Sequence, residues 1–134
     1  MIYGQEAFSM PHELARTNGW RKALIISAMP SVGMLLLFYS LALHMRLSLG
    51  TWPTRMGEEG FSALLLAHVN VTAYYFIGLI WFGIFIWPVS VLVSVLVKRW
   101  RRFAVYFAYY AVMCIACWVC MQLAPESFLV WWWD

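Results

Sequence analysis

Read only for hydrophobic and polar positions, the chain divides into three long charge-free runs joined by two short polar segments. The first run, Ala23 to Met45, has the roughly 20 apolar residues a spanning helix needs. Pro30 lies one to two turns inside its start and predicts a bend, which membrane helices tolerate when neighbours satisfy the freed backbone. Arg46 to Phe61 follows, with Gly50, Pro53, Gly57 and Gly60 marking it as a loop. Trp52 before Pro53 should be extended and reads as an aromatic plug folded back on the membrane surface. The second run, Ser62 to Val97, would make a helix about 54 Å long at about 1.5 Å per residue, against a hydrocarbon core of about 30 Å. With no turn signal inside it, it predicts one long helix spanning from about 73 to 97, with an outer extension from about 62 and a kink at Pro88. "KRWRR", Lys98 to Arg102, is a short basic turn. The third run, Phe103 to Leu123, crosses once. Pro125 ends it and should release the tail "ESFLVWWWD" as a separate short segment. The expected fold class is therefore all-α and integral to a membrane, with three spans at about 23–45, 73–97 and 103–123. The expected parts are a segment 1–22, a three-helix domain 23–123 and an aromatic tail 124–134.

Charge supplies the orientation. Arg16, Arg21 and Lys22 precede the first span, and Lys98, Arg99, Arg101 and Arg102 join the second to the third. An odd number of crossings puts both clusters on one side, and the positive-inside rule makes that side cytoplasmic. The opposite loop has Arg46 and Arg55 offset by Glu58 and Glu59. The N-terminus is then expected inside and the C-terminus outside. No apolar h-region of a cleavable signal peptide is visible in the first twenty residues. Composition agrees: of 134 residues, 64% are hydrophobic and 11% charged, against about 25% charged in soluble domains.

Candidate chemistry is sparse. Cys114, Cys117 and Cys120 have an iron–sulfur-like spacing, but they lie in an apolar helix where successive cysteines stand about 300° apart and do not converge. They read as small residues allowing close helix approach. His44 and His68 fall on the same outer side. Together they could hold a b-type haem, singly the magnesium of a chlorophyll, or they could serve a quinol site; the alternative is a polar contact near the headgroups. The face His68, Asn70, Thr72 could meet a partner. Lys98, Arg99, Arg101 and Arg102 could bind anionic lipid or act only as a topology signal, and no nucleic-acid partner is expected. Arg, Lys, Asp and Glu are absent from the spans, which argues against ion transport by this chain alone. No catalytic motif is present, and no enzyme is expected.

The segment "LHMRLSLGTWP", Leu43 to Pro53, with the later basic Trp-containing turn and the aromatic, acidic ending, resembles a group of small bacterial multi-span membrane proteins with an LHxRLxLGxWP-like turn. The resemblance implies a bacterial inner-membrane location and carries no activity with it. The aromatic excess, 19% of residues, must meet lipid, flat ring systems such as pigment or quinone, or other membrane protein subunits. The expected function is a non-catalytic accessory subunit of a larger energy-transducing complex, either photosynthetic or respiratory. Trp81, Trp87, Tyr109 and Tyr110 are its expected helix contacts, and Trp131, Trp132 and Trp133 its docking tail. The alternatives are a cofactor-binding electron-transfer subunit using His44 and His68, and a free-standing membrane protein.

Overall fold

The structure, a computed structural model, describes residues 10–53 and 60–134, with side chains described from Gly19 onward. Arg55, Glu58 and Glu59, the side chain of Arg16 and the first nine residues lie outside the described residues.

Every described element is a helix. The helices are α1 (Met10–Leu49), α2 (Ala63–Trp81), α3 (Trp87–Leu96), α4 (Ala104–Met121) and α5 (Glu126–Trp133). A π-helical stretch, Phe82–Ile86, joins α2 to α3, and a 3-10 turn, Lys98–Phe103, joins α3 to α4. Three stretches are long and apolar enough to cross a membrane: Gly19–Leu49, Ala63–Leu96 and Lys98–Met121. Each expected span overlaps one of these stretches, but α1 runs well past both ends of its charge-free run. Loss of charge marks where a helix can enter lipid, and helical hydrogen bonding continues beyond that point.

Local chemistry sets the helix ends. Gly50, at φ +70°, follows the last residue of α1 in a conformation that costs a side chain energy. The Ser62 hydroxyl accepts the Leu65 N–H at 3.2 Å and caps α2. Pro88 has no N–H to offer Ile84 and would crowd its carbonyl. The chain absorbs this one turn early: the Trp87 N–H donates to Phe82 O, five residues back, and a π-helical stretch carries the axis through. Pro30, by contrast, lies within α1 without ending it.

α1 is the centre of the molecule and contacts both α2 and α4, whereas α3 contacts α4. Its buried positions are Ala28, Ser31, Met34, Phe38, Leu41, Ala42 and Met45, a seam at spacings of three and four residues. Small and adaptable side chains on α4 meet it, with Cys117 and Met121 buried. The cysteine stripe is thus packing surface. Ser31 Oγ and Cys114 Sγ are hydrogen-bonded at 3.1 Å, and Tyr39 donates to the Cys120 carbonyl at 2.6 Å.

The ending forms the separate short segment expected after Pro125, and it packs on the chain itself. Residues 122–124 turn the chain back, Pro125 stands at the N-cap of α5 (φ −55°, ψ 134°), and α5 folds onto the chain's own body. Phe128 is fully buried, 5.0 Å from Phe38 and 6.1 Å from Trp52 between ring centroids. Trp52 packs against the same core cluster, and Arg46 lies 5.6 Å from its ring centroid. The segment 124–134 is therefore packed against the core. A turn closed by Leu123 N–H to Cys120 O and Ala124 N–H to Met121 O makes the reversal possible.

Candidate functional site

At the end of the molecule where α1 finishes and α2 begins, the structure brings the two histidines into direct contact. His44, in the last turns of α1, and His68, in the second turn of α2, face each other through Nδ1 at 3.0 Å, with ring centroids 5.2 Å apart and planes inclined by 37°. Both rings are half-buried. Ser40, one turn before His44 on the same helix face, lies 3.1 Å from His68 Nε2. The three groups make a continuous chain from Ser40 through His68 to His44.

Donor bookkeeping constrains the chain. The Ser40 hydroxyl donates to Leu37 O at 3.0 Å, so its oxygen accepts from His68 Nε2–H. His68 Nδ1 is then bare and accepts from His44 Nδ1–H, and His44 Nε2 keeps a free lone pair. If the Ser40 hydrogen turns onto His68, every bond in the chain reverses and His44 Nε2 carries the proton. A doubly protonated pair would place two N–H groups head to head, so this spacing holds one shared proton at the contact. Thr72 supports the arrangement from within α2: its hydroxyl donates to the His68 carbonyl at 2.9 Å and the residue is fully buried.

The same distances test the metal readings. Two nitrogens about 2.0–2.1 Å from one tetrahedral ion stand about 3.3 Å apart, and on opposite sides of an ion about 4 Å apart. At 3.0 Å the two Nδ1 atoms are spaced for a hydrogen bond to each other and not for shared ligation of one ion through these atoms. A single ligand through His44 Nε2 remains compatible. Among the described residues no group of three or more His, Cys, Asp or Glu is placed to hold a metal ion.

The other expected site residues separate. Trp81 is exposed and stacked on Phe85, one turn away, at 5.0 Å and 15°. Trp87 is half-buried and donates its indole N–H to Phe107 O at 3.3 Å, which ties α3 to α4. Tyr110 is buried, with its ring edge-on to Phe82 at 5.6 Å; it is an internal packing residue and not the surface contact expected of it. Tyr109 is half-buried. Trp131 and Trp132 pack inward against Phe61 and Phe38, Trp133 lies against Phe76, and Trp133 keeps an exposed face. The expected polar face on α2 also divides, since Asn70 is exposed while Thr72 is buried. Lys98, Arg99, Arg101 and Arg102 are all exposed on the 3-10 turn.

Sequence reasoning missed Ser40 and Phe128. The four-residue spacing from Ser40 to His44 was an available signal. Phe128 had none, because its burial depends on the chain reversal at residues 122–124. No protein family, curated protein or solved structure matches the chain.

Proposed function

We propose that this chain is a non-catalytic accessory subunit which assembles beside a larger protein in a bacterial inner membrane. One observation carries the reading: the spans bury very little of themselves. Only 6% of the apolar window is buried in each of the second and third spans, and 28% in the first. A helix set this open depends on its surroundings for lateral packing, because lipid supplies no hydrophobic force to draw helices together. Part of the outward surface is rigid and aromatic. The stacked Trp81–Phe85 plate on the π-helical side offers a partner large, flat contact area at small conformational cost. In its specific form, the complex is energy-transducing, photosynthetic or respiratory.

Co-purification in mild detergent tests the reading. The wild-type chain should carry a stoichiometric membrane partner, and Trp81→Ala with Phe85→Ala should release it while leaving the chain folded. A wild-type chain that runs alone in native electrophoresis would refute it. A second reading is favoured by the His44–His68 contact, because in the tautomer that leaves His44 Nε2 bare that nitrogen could ligate one chlorophyll or haem or accept a proton from a quinol. It requires that the purified assembly lose one chromophore equivalent, or its quinol response, on His44→Ala.

A further inference from the structure

Because the long second span contacts α1 through α2 but α4 through α3, its lower half draws away from α1. A cleft of about 790 Å³ opens there between α1, α3 and α4. This lies within the roughly 300–1,000 Å³ of small-molecule sites. Its walls include Ile26, Pro30, Val89, Val93 and Phe107, with Trp100 toward the basic turn. Three serines also line it, but each hydroxyl is already committed to a carbonyl on its own helix: Ser27 to Ala23 O, Ser90 to Ile86 O and Ser94 to Ser90 O, at 2.7–2.8 Å. The serines therefore offer no waiting donor, and apart from the polar groups of Trp100, Tyr106 and Tyr110 the lining is apolar, which suits a hydrocarbon chain.

The basic end has the opposite character. Arg21 and Lys22 immediately precede Ala23, a cleft residue, and Lys98, Arg99, Arg101 and Arg102 flank Trp100. Trp20 packs on Tyr106, another wall residue, at 5.1 Å, which holds α1 at that level against the first turn of α4. Arg102 sits 5.1 Å from the ring centroid of Phe103, which also lines the cleft. All six cations are exposed, and no ion pair neutralises them among the described residues. An apolar slot ending at six cations with no ion pair among the described residues matches an amphiphile with an anionic head.

We infer that the cleft between α1, α3 and α4 seats an anionic phospholipid, with an acyl chain along Ile26, Val89 and Val93 and its phosphate among Lys98, Arg99, Arg101 and Arg102. This is more specific than a topology signal or a diffuse attraction to the leaflet, and it holds whether or not a protein partner binds elsewhere.

The test is native mass spectrometry of the full chain, delipidated in detergent and titrated with dioleoyl phosphatidylglycerol or dioleoyl phosphatidylcholine. One phosphatidylglycerol per chain should bind at least tenfold more tightly than phosphatidylcholine. Val89→Trp, placed at an exposed cleft position, should weaken phosphatidylglycerol binding at least tenfold, with Val93→Trp as a second filler. Val112→Trp, at an exposed position outside the cleft lining, should not. Arg101→Gln with Arg102→Gln should bring the two lipids toward equal affinity. Displacement of the lipid by glycerophosphate would show a free-phosphate site and overturn the inference. So would equal binding of both lipids by the wild type. A Val89→Trp chain that keeps its lipid but changes oligomeric state would assign the cleft to a protein helix instead.

Discussion

Phe128→Ala should loosen α5 from the rest of the molecule. Phe128 is fully buried, and its ring meets those of Phe38, Trp52, Trp131 and Trp132 at centroid distances of 5.0 to 6.5 Å. Truncating a core phenylalanine to alanine typically costs about 3–5 kcal/mol. Part of that is transfer from water, which fades where the alternative surroundings are lipid tails. The cavity and the lost ring contacts, about 0.5–1.5 kcal/mol for each good aromatic pair, remain. The expected loss is therefore near the lower end, about 3 kcal/mol, or more than a hundredfold in the docking equilibrium. Hydrogen exchange of the amides of residues 126–133 in detergent reads this directly, since undocking exposes them without unfolding the spans. Leu123→Ala is the control: the residue is 79% exposed and its truncation should change exchange by less than about 0.5 kcal/mol. If Phe128→Ala protects these amides as well as the wild type does, α5 is held by something other than this ring cluster.

Three further outcomes are expected. A double-mutant cycle on His44→Ala and His68→Ala should give a coupling of about 0.5–1.5 kcal/mol in reversible detergent unfolding, the range of one net interhelical hydrogen bond; additive losses would remove the contact. Gly33→Ala should cost about 1 kcal/mol, because an added Cβ would stand 2.9 Å from the Tyr75 hydroxyl that donates to Pro30 O at 3.0 Å, and Tyr75→Phe should make Gly33→Ala nearly silent by the same measurement. A topology reporter within Lys98–Arg102 should be active in the cytoplasm and one after Asp134 outside it; a cytoplasmic C-terminus would refute the orientation.

The three helices were legible because the membrane imposes a coarse rule: charge-free runs of sufficient length must be helical. The long second helix was legible for the same reason, since Ser62 to Val97 holds no turn signal. What lay beyond the pattern depended on contacts between distant residues. Tyr110 and Trp81 are both aromatic residues in apolar runs, yet one is buried and the other exposed; nothing local distinguishes them. His44 and His68 could be placed on one side from span counting, but their 3.0 Å contact follows from the crossing of α1 and α2. The tail was legible as a separate short segment after Pro125, but its inward packing was not, because three adjacent indoles suggest an outside surface whereas a reversal after Met121 supplies an inside one.

The π-helical stretch at Phe82–Ile86 gives the second span two phases. An α-helix is a rigid screw: rotating one end to suit its neighbour rotates the other by the same amount. The wider turn there breaks that constraint, so α2 can take its register from α1 while α3 takes its own from α4. Substitutions that slide or twist the α1–α2 seam should therefore be absorbed near Gly83, leaving the Trp87 bridge to Phe107 in place. Deleting one residue from Phe82–Ile86 would restore a single screw and force the two seams to compete for one rotational setting.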